Sequence, residues 1–498
     1  MRKKWKALAL GLIAVALGCF GSLGCGRTNG DGGGGDAATE NRPDYSESKQ
    51  EYTLWAYSGT CDDWYGVGGK KYFFEDGTRQ TPEHTKWYAE SGLNILFVDW
   101  MFPFDGRQAF EGSRVKEVMD MAHAEGLKCM VFESNLHTLS SSKTSLIDPN
   151  DADGVHTFSS QEALNAYVAG LLKDVKNHSA FYGVSLKDEP SYQQLTAIGE
   201  VYRAVKATCP DAFVSMNLLP LDSHAVVKAN YCAGAANMGL VAAYKQYLET
   251  YYEQIGQYCG YIQYDDYPLV TKNAVLSTTL DNAQTVAEFA KEKGLRFGKV
   301  YGTYNRECSE TELYWQTSIG MAMGIKDHSY YTYYPVTNVG TATPPDERAS
   351  FVNRVGDRNP VYYSMQKIHR EMQFNAKALM NFEYQKLNYY VKTPVPGDKG
   401  FLAGVEQNNL TDVTKVTLSA EGIVLVTEQY DRRNGRRGYY VMNITDPFQE
   451  TTIGTTVKFD KFKNVQIYDG KTVSNKKLKD GEITFELATG KGVFVMPY

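Results

Sequence analysis

Between Tyr52 and Phe374 one pattern returns eight times: a short apolar run, a polar loop, then a stretch with helical spacing. The runs are 52–57, 94–98, 128–132, 181–186, 212–216, 261–264, 297–302 and 328–333. Helical spacing follows at 82–91, 113–125, 161–176, 195–207, 245–257, 282–293, 310–324 and 362–374. Apolar runs without internal alternation are what parallel strands need when helices cover one face and a packed interior the other. Eight such units are the count of a (β/α)8 TIM barrel, with an open doubly wound sheet as the competing arrangement. The barrel is expected over 51–376.

After about Ala376 the rhythm changes. Strand-like runs at 422–427, 438–443, 451–459, 465–468, 483–487 and 492–496 are separated by turn residues such as Arg433-Asn434-Gly435 and Asp469-Gly470. A C-terminal all-β sandwich is expected over 377–498, covering the barrel in preference to acting as a separate glycan-binding module.

The first residues read as an address. Arg2-Lys3-Lys4 and Lys6 precede an apolar run at 7–18, too short to span a bilayer and right for a secretory signal. Small residues lead twice to a cysteine, at Cys19 and at Cys25, so 1–25 resembles a bacterial lipoprotein signal with either cysteine as lipidation site. A plain cleaved signal peptide is the alternative. Residues 26–50, rich in Gly, Asp and Ser, are expected to be a flexible linker. The expected location is the outer face of a bacterial cell membrane, with the membrane reached through the N-terminal lipid anchor.

Several function classes lack support. A net charge of −6 and the absence of a Lys/Arg stripe with interleaved aromatics argue against nucleic acid as partner. No HExxH, GxxxxGK[ST] or GxGxxG occurs, and Cys61, Cys129, Cys209, Cys232, Cys259 and Cys308 show no CxxC spacing. No metal and no cofactor is implied. Nothing in the sequence fixes the oligomeric state.

In a barrel, chemistry collects where strands emerge at their C-terminal ends. There stand Asp99-Trp100, Glu133 and Asn135, Asp188-Glu189, Asn217, Asp265-Asp266 with Tyr267, residues 304–307, and Tyr333-Tyr334. The stretch "FYGVSLKDEPSYQQL", 181–195, breaks from an apolar strand straight into three ionisable groups. Crowded, partly desolvated carboxylates drive their pKa values apart, leaving one protonated and another ionised. That is the equipment for cleaving an acetal, and beside it aromatic faces suit sugar rings. Plainer readings exist for each group: Asp188-Glu189-Pro190 as a helix start, Asp265 to Pro268 as a turn, the tyrosines as packing.

Three stretches carry a family resemblance: "YGVSLKDEPS" at 182–191, "YDDYPL" at 264–269 and "ETELYWQTSIGMAMGIKDHSYYTYYP" at 310–335. With them the chain resembles the glycoside hydrolases of the large (β/α)8 superfamily, near the β-galactosidase-like families of clan A. The resemblance implies a general acid/base glutamate at the end of strand 4, which is Glu189, with Asp188 where the superfamily has asparagine. It implies a nucleophile on strand 7, for which Glu307 in "YGTYNREC" is the candidate, or else Asp265 or Asp266 as second carboxylate. Asp188, Asp99, Trp100, Glu133, Asn135, Asn217, Asp266, Tyr267 and Tyr333 are the candidate contacts to an oligo- or polysaccharide. The rival from another class is a non-catalytic surface glycan-binding lipoprotein on the same scaffold.

Overall fold

The eight runs fold as eight parallel strands: β1 Thr53–Ala56, β2 Ile95–Trp100, β3 Lys128–Glu133, β4 Phe181–Asp188, β5 Phe213–Asn217, β6 Tyr261–Asp266, β7 Arg296–Gly302 and β8 Asp327–Tyr331. The computed structural model describes residues 42–60, 80–100, 110–149, 157–269, 271, 273–303, 306–335, 348–353 and 356–498. The strands pair in the order β5-β4-β3-β2-β1-β8-β7-β6. A parallel bridge between Leu218 and Tyr264 then joins the two outer strands, so the sheet is a TIM-like barrel and not an open doubly wound sheet.

Helices between the strands start where capping chemistry permits. Thr81 accepts from the His84 amide ahead of Pro82, while Ser113, Ser160 and Ser309 cap the helices Arg114–Ala124, Gln161–Leu172 and Glu310–Ala322 in the same way. A short helix, Ser134–Ser140, occupies what the sequence left as the loop after β3.

Strand alternation fills the barrel in layers. Near the bottom, Arg296 of β7 pairs with Asp327 of β8 and donates to Thr53 of β1. Above it lies the aromatic and aliphatic cluster of Trp55, Ile95, Phe97 and Met130, with Phe132, Tyr182 and Phe213 packed on it. Gln263 of β6 ties the layer together, accepting from Ser215 and Tyr261 and donating to Ser329. With side chains filling this interior, a ligand has room only at the mouth.

The C-terminal residues form two antiparallel sheets. Strands β9 Glu383–Lys392, β11 Gly422–Asp431, β12 Arg436–Asn443, β14 Asn464–Tyr468, β15 Val473–Lys477 and β17 Gly492–Pro497 make a six-stranded sheet. Strands β10 Val413–Leu418, β13 Thr452–Phe459 and β16 Glu482–Ala488 make a three-stranded one. Val424, Val426, Val441 and Val495 pack toward the smaller sheet, whereas Ile423, Leu425, Tyr440 and Met442 belong to the same core as the barrel helices. The central strands β11 and β12 of the six-stranded sheet are thus buried on both faces. Thr427 and Gln429 donate to the carbonyls of Met321 and Ala322, closing the open end of helix Glu310–Ala322. Pro43–Tyr498 cohere as one compact unit.

Part of the expected linker is ordered: Tyr45 is buried, its hydroxyl donates to Asp431, and Asn434 donates to it. Cys19 and Cys25 lie outside the described residues. The five described cysteines are free thiols, four of them buried.

Candidate active site

The site begins with an irregularity in β4. Its pairing with β5 shifts register between Ser185 and Asp188, where Asp188 aligns with Asn217. Asn217 then donates to the Asp188 carboxylate (2.9 Å), and its backbone carbonyl accepts from the Glu189 amide (2.8 Å). Glu189 adopts φ +45°, a left-handed conformation that costs a non-glycine residue about 1–3 kcal/mol unless its surroundings hold it there. Strict alternation would send Asp188 and Glu189 to opposite faces of the sheet. The bulge and the left-handed turn bring both to the mouth.

Asp265 arrives from the other side. On β6 it follows Tyr261 and Gln263 on the inward-facing set, and its side chain is 2% exposed. Its carboxyl stands close enough to Glu189 and to the Tyr267 hydroxyl for each to shift its protonation. Asp188 and Glu189 are open to solvent although protein surrounds them closely, as on the floor of a cleft.

This crowding sets the protonation. Burial pushes Glu189 up, reinforced by the negative charges of Asp188 and Asp222. Burial pushes Asp265 well above the carboxylate range, with Glu189 and Asp188 adding to it. Asp188 is also raised by burial, against the opposing pull of Asn217, Lys187 and the Tyr57 hydroxyl. The Tyr57 hydroxyl faces Asp188 without the geometry of a full hydrogen bond. Two carboxyls coupled in this way titrate as one unit, and here the unit keeps a proton above the usual carboxylate range.

Aromatic side chains line one wall. Tyr57, Tyr267 and Tyr331 are half-buried, with Tyr331 centred 6.1 Å from each of the other two rings. Lys187, the cation in the Lys-Asp-Glu run, lies 3.4 Å from His137. Burial and the lysine charge hold that imidazole down at about 4, so it meets Lys187 as a neutral acceptor.

The sequence-predicted residues separate into those at the mouth and those elsewhere. Glu189, Asp188, Asp265, Asn217 and Tyr267 come together. Asp266 does not: alternation turns it outward, where it forms a buried ion pair with Lys299 (3.0 Å) between the rings of Tyr264 and Tyr301. Glu307 also stands apart, in an exposed pair with Arg348, while Arg306 is bound to Glu312 and the Leu269 carbonyl. Glu133 is fully buried and caps helix Ser134–Ser140, accepting from the Leu136 amide (2.7 Å) and from Asn135 (3.1 Å). Tyr333 is buried against Tyr88 and Phe351, on the helix side of the sheet. Asp99 and Trp100 end β2, but their side chains lie outside the described residues, as does Tyr304.

Sequence reasoning missed Tyr57, Tyr331 and Asp222. For the two tyrosines a signal existed: Tyr57 continues the inward series Thr53, Trp55, and Tyr331 continues Asp327, Ser329. Asp222 lies in the loop after β5, where no periodicity applies.

A cavity of about 600 Å³ at the opposite end of the barrel is lined by Arg296, Lys326 and Glu383. Its charged groups serve the scaffold: Arg296 is spent on Asp327, and Lys326 on the carbonyls of Leu379 and Phe382 that end helix Pro360–Leu379.

No family model matches the chain, and no curated protein matches it. Among solved structures the chain is similar to a glycoside hydrolase family 30 xylanase from Clostridium acetobutylicum. The identity is 13%, the coverage 90% of this chain and 96% of that one, and the TM-score 0.42. It is similar to a structure described as a glycoside hydrolase at 11% identity, covering 86% and 95%, with a TM-score of 0.43. It is similar to an endo-β-1,4-mannanase from Thermotoga petrophila at 10% identity, covering 89% and 99%, with a TM-score of 0.38.

Proposed function

We propose that the chain is an exported, lipid-anchored glycoside hydrolase acting on an extracellular oligo- or polysaccharide. The observation that carries this reading is the coupled Glu189–Asp265 pair, with Asp188 beside it, at the barrel mouth. Glu189 is the member open to the cleft, so it delivers the proton to the glycosidic oxygen. Asp265 behind it shares the charge left on the pair, and the water that adds to the anomeric carbon as the glycosidic bond breaks returns the proton to that pair.

Glu189 and Asp265, each shifting the other's protonation, act as a single proton-holding unit. Asp188, held by Asn217, faces the sugar ring and the positive charge that develops on it. Tyr57, Tyr267 and Tyr331 supply the ring-stacking wall.

Turnover of a panel of nitrophenyl glycosides and polysaccharides tests the reading. Glu189→Gln is expected to lower kcat on the order of 10²–10⁴-fold while binding persists. Glu307→Gln is expected to leave turnover unchanged. Wild-type turnover in Glu189→Gln would sink the assignment. One observation favours the second reading, a glycan-binding lipoprotein without catalysis: among the described residues no carboxylate from β7 faces the pair. That reading predicts saturable glycan binding that Glu189→Gln leaves intact, with no product from any glycan that binds.

A further inference from the structure

Behind the acid floor, helix Leu240–Tyr251 and the segment before it bring together three fully buried tyrosines, Tyr231, Tyr244 and Tyr247. Their ring centroids lie 5.2, 5.7 and 6.2 Å apart. Each hydroxyl ends on a backbone carbonyl at a strand exit. Tyr244 donates to Leu219 (3.1 Å), and Tyr231 donates to Pro220 while accepting from the Asp222 amide (2.7 Å). Tyr247 donates to Pro190 (2.6 Å).

The last contact differs from the others in what it holds. Pro190 directly follows Glu189, whose φ of +45° is unfavourable for a side chain with a Cβ. A strained residue keeps such a conformation only when both flanks are fixed. On the N-terminal flank the Glu189 amide is bound to the Asn217 carbonyl. On the C-terminal flank Pro190 has no amide to offer, and Tyr247 takes its buried carbonyl, one and two residues ahead of the Ser191 amide on Gln194 and the Tyr192 amide on the Asn230 carbonyl, so Tyr247 holds the peptide nearest to Glu189.

We propose that Tyr247 is the positioning residue of Glu189: its hydroxyl, fixed on the Pro190 carbonyl, locks the left-handed turn that keeps the Glu189 carboxyl on Asp265. The kinetic consequence rests on the hydrolase reading; the conformational claim does not. Without the hydroxyl the Pro190 carbonyl is buried without this donor. The peptide then rotates to regain a partner, and Glu189 relaxes to negative φ with its carboxyl withdrawn from Asp265.

Tyr247→Phe keeps the ring and removes the donor. Its crystal structure is expected to show Glu189 at negative φ and the Glu189–Asp265 contact broken. On any glycoside the wild type cleaves, kcat is expected to fall on the order of a hundredfold with KM little changed. Asp265 pulls Glu189 down against burial, so freed from it Glu189 titrates higher and the alkaline limb of the pH–rate profile moves to higher pH. Tyr244→Phe removes a hydroxyl from the same cluster and is expected to lower Tm without moving that limb.

A Tyr247→Phe structure that retains positive φ and the carboxyl contact overturns the proposal, as does an equal shift of the limb in Tyr244→Phe. If the wild type cleaves nothing, the hydrolase reading fails and the crystal structure still decides the positioning. Should Tyr247→Phe not fold, the same change is made in Glu189→Gly, where positive φ carries no strain. Recovery of a folded protein in that background supports the proposal, and failure to fold there as well overturns it.

Discussion

Asp265 faces the barrel axis and Asp266 the helical layer, because successive side chains of β6 leave the sheet on opposite sides. Two identical residues therefore carry opposite predictions. The pKa of Asp265 is raised on folding, so the native state holds a proton that the unfolded chain releases, and stability is lost as pH climbs from the ordinary carboxylate range through the raised value. Asp265→Asn is expected to raise Tm at about pH 7 and to match the wild type near pH 4, where the unfolded carboxyl is protonated too. Thermal scans at both values check it. Asp266 lies 3.0 Å from the Lys299 ammonium, both almost wholly buried. Asp266→Ala strands the lysine and is expected to cost about 3–5 kcal/mol in chemical denaturation. Strand alternation alone separates these two aspartates and points Tyr57 and Tyr331 to the mouth, although the sequence reading set both aspartates at the rim and passed over the two tyrosines. It fails at Asp188-Glu189 because a bulge is set by pairing with a distant strand, which nothing local in "SLKDEPS" reveals. The opposite failure is Glu133, a buried helix cap that its position at a strand end made look like a contact residue.

The elements themselves were legible where burial imposed a pattern. All eight barrel strands lie where apolar runs predicted them, because a strand covered on both sides is mostly apolar and its few polar residues are paired inside the fold, as Gln263 is with Ser215 and Ser329. Strands β9, β10 and β15 were not read. β9 mixes Gln, Lys and Asn into a half-buried surface, and β15, Val-Ser-Asn-Lys-Lys, is a polar strand at the sheet edge. β11 was read as a sandwich strand, but its almost unbroken burial has a second cause, the barrel helices on its other face. Gln429 follows from that. It sits in a strand with its amide donated to Met321 and Ala322, and Gln429→Ala removes that donor while Thr427 stays on Ala322 and the Gly324 amide on Met321. A loss of about 0.5–1.5 kcal/mol is expected, measured by urea unfolding, with turnover at a fixed temperature unchanged.

At the scale of the molecule, barrel and sandwich share one core, with Trp315 of a barrel helix donating to Ile444 and Phe382 packed on Phe494. A chain ending at residue 382 would expose that whole apolar face. It is expected to be insoluble, and residues 43–498 to melt in one calorimetric transition instead of two. Sequence rhythm showed the change from helices to strands near Ala376 but not this union, since the partner of a buried strand face is not written in the strand. The barrel has its own seam. β5 and β6 meet at the bridge between Leu218 and Tyr264, through the Leu218 amide to Gln263 (2.9 Å) and the Asp265 amide to Leu218 (3.3 Å). Glu189 hangs from one side of that seam and Asp265 stands on the other. Warming that lets the staves part there would disconnect the shared proton while the rest of the cask still holds. Leu218 and Asp265 amides are accordingly expected to exchange with deuterium ahead of those in β2 and β3, and catalysis to fade several degrees before the fold melts.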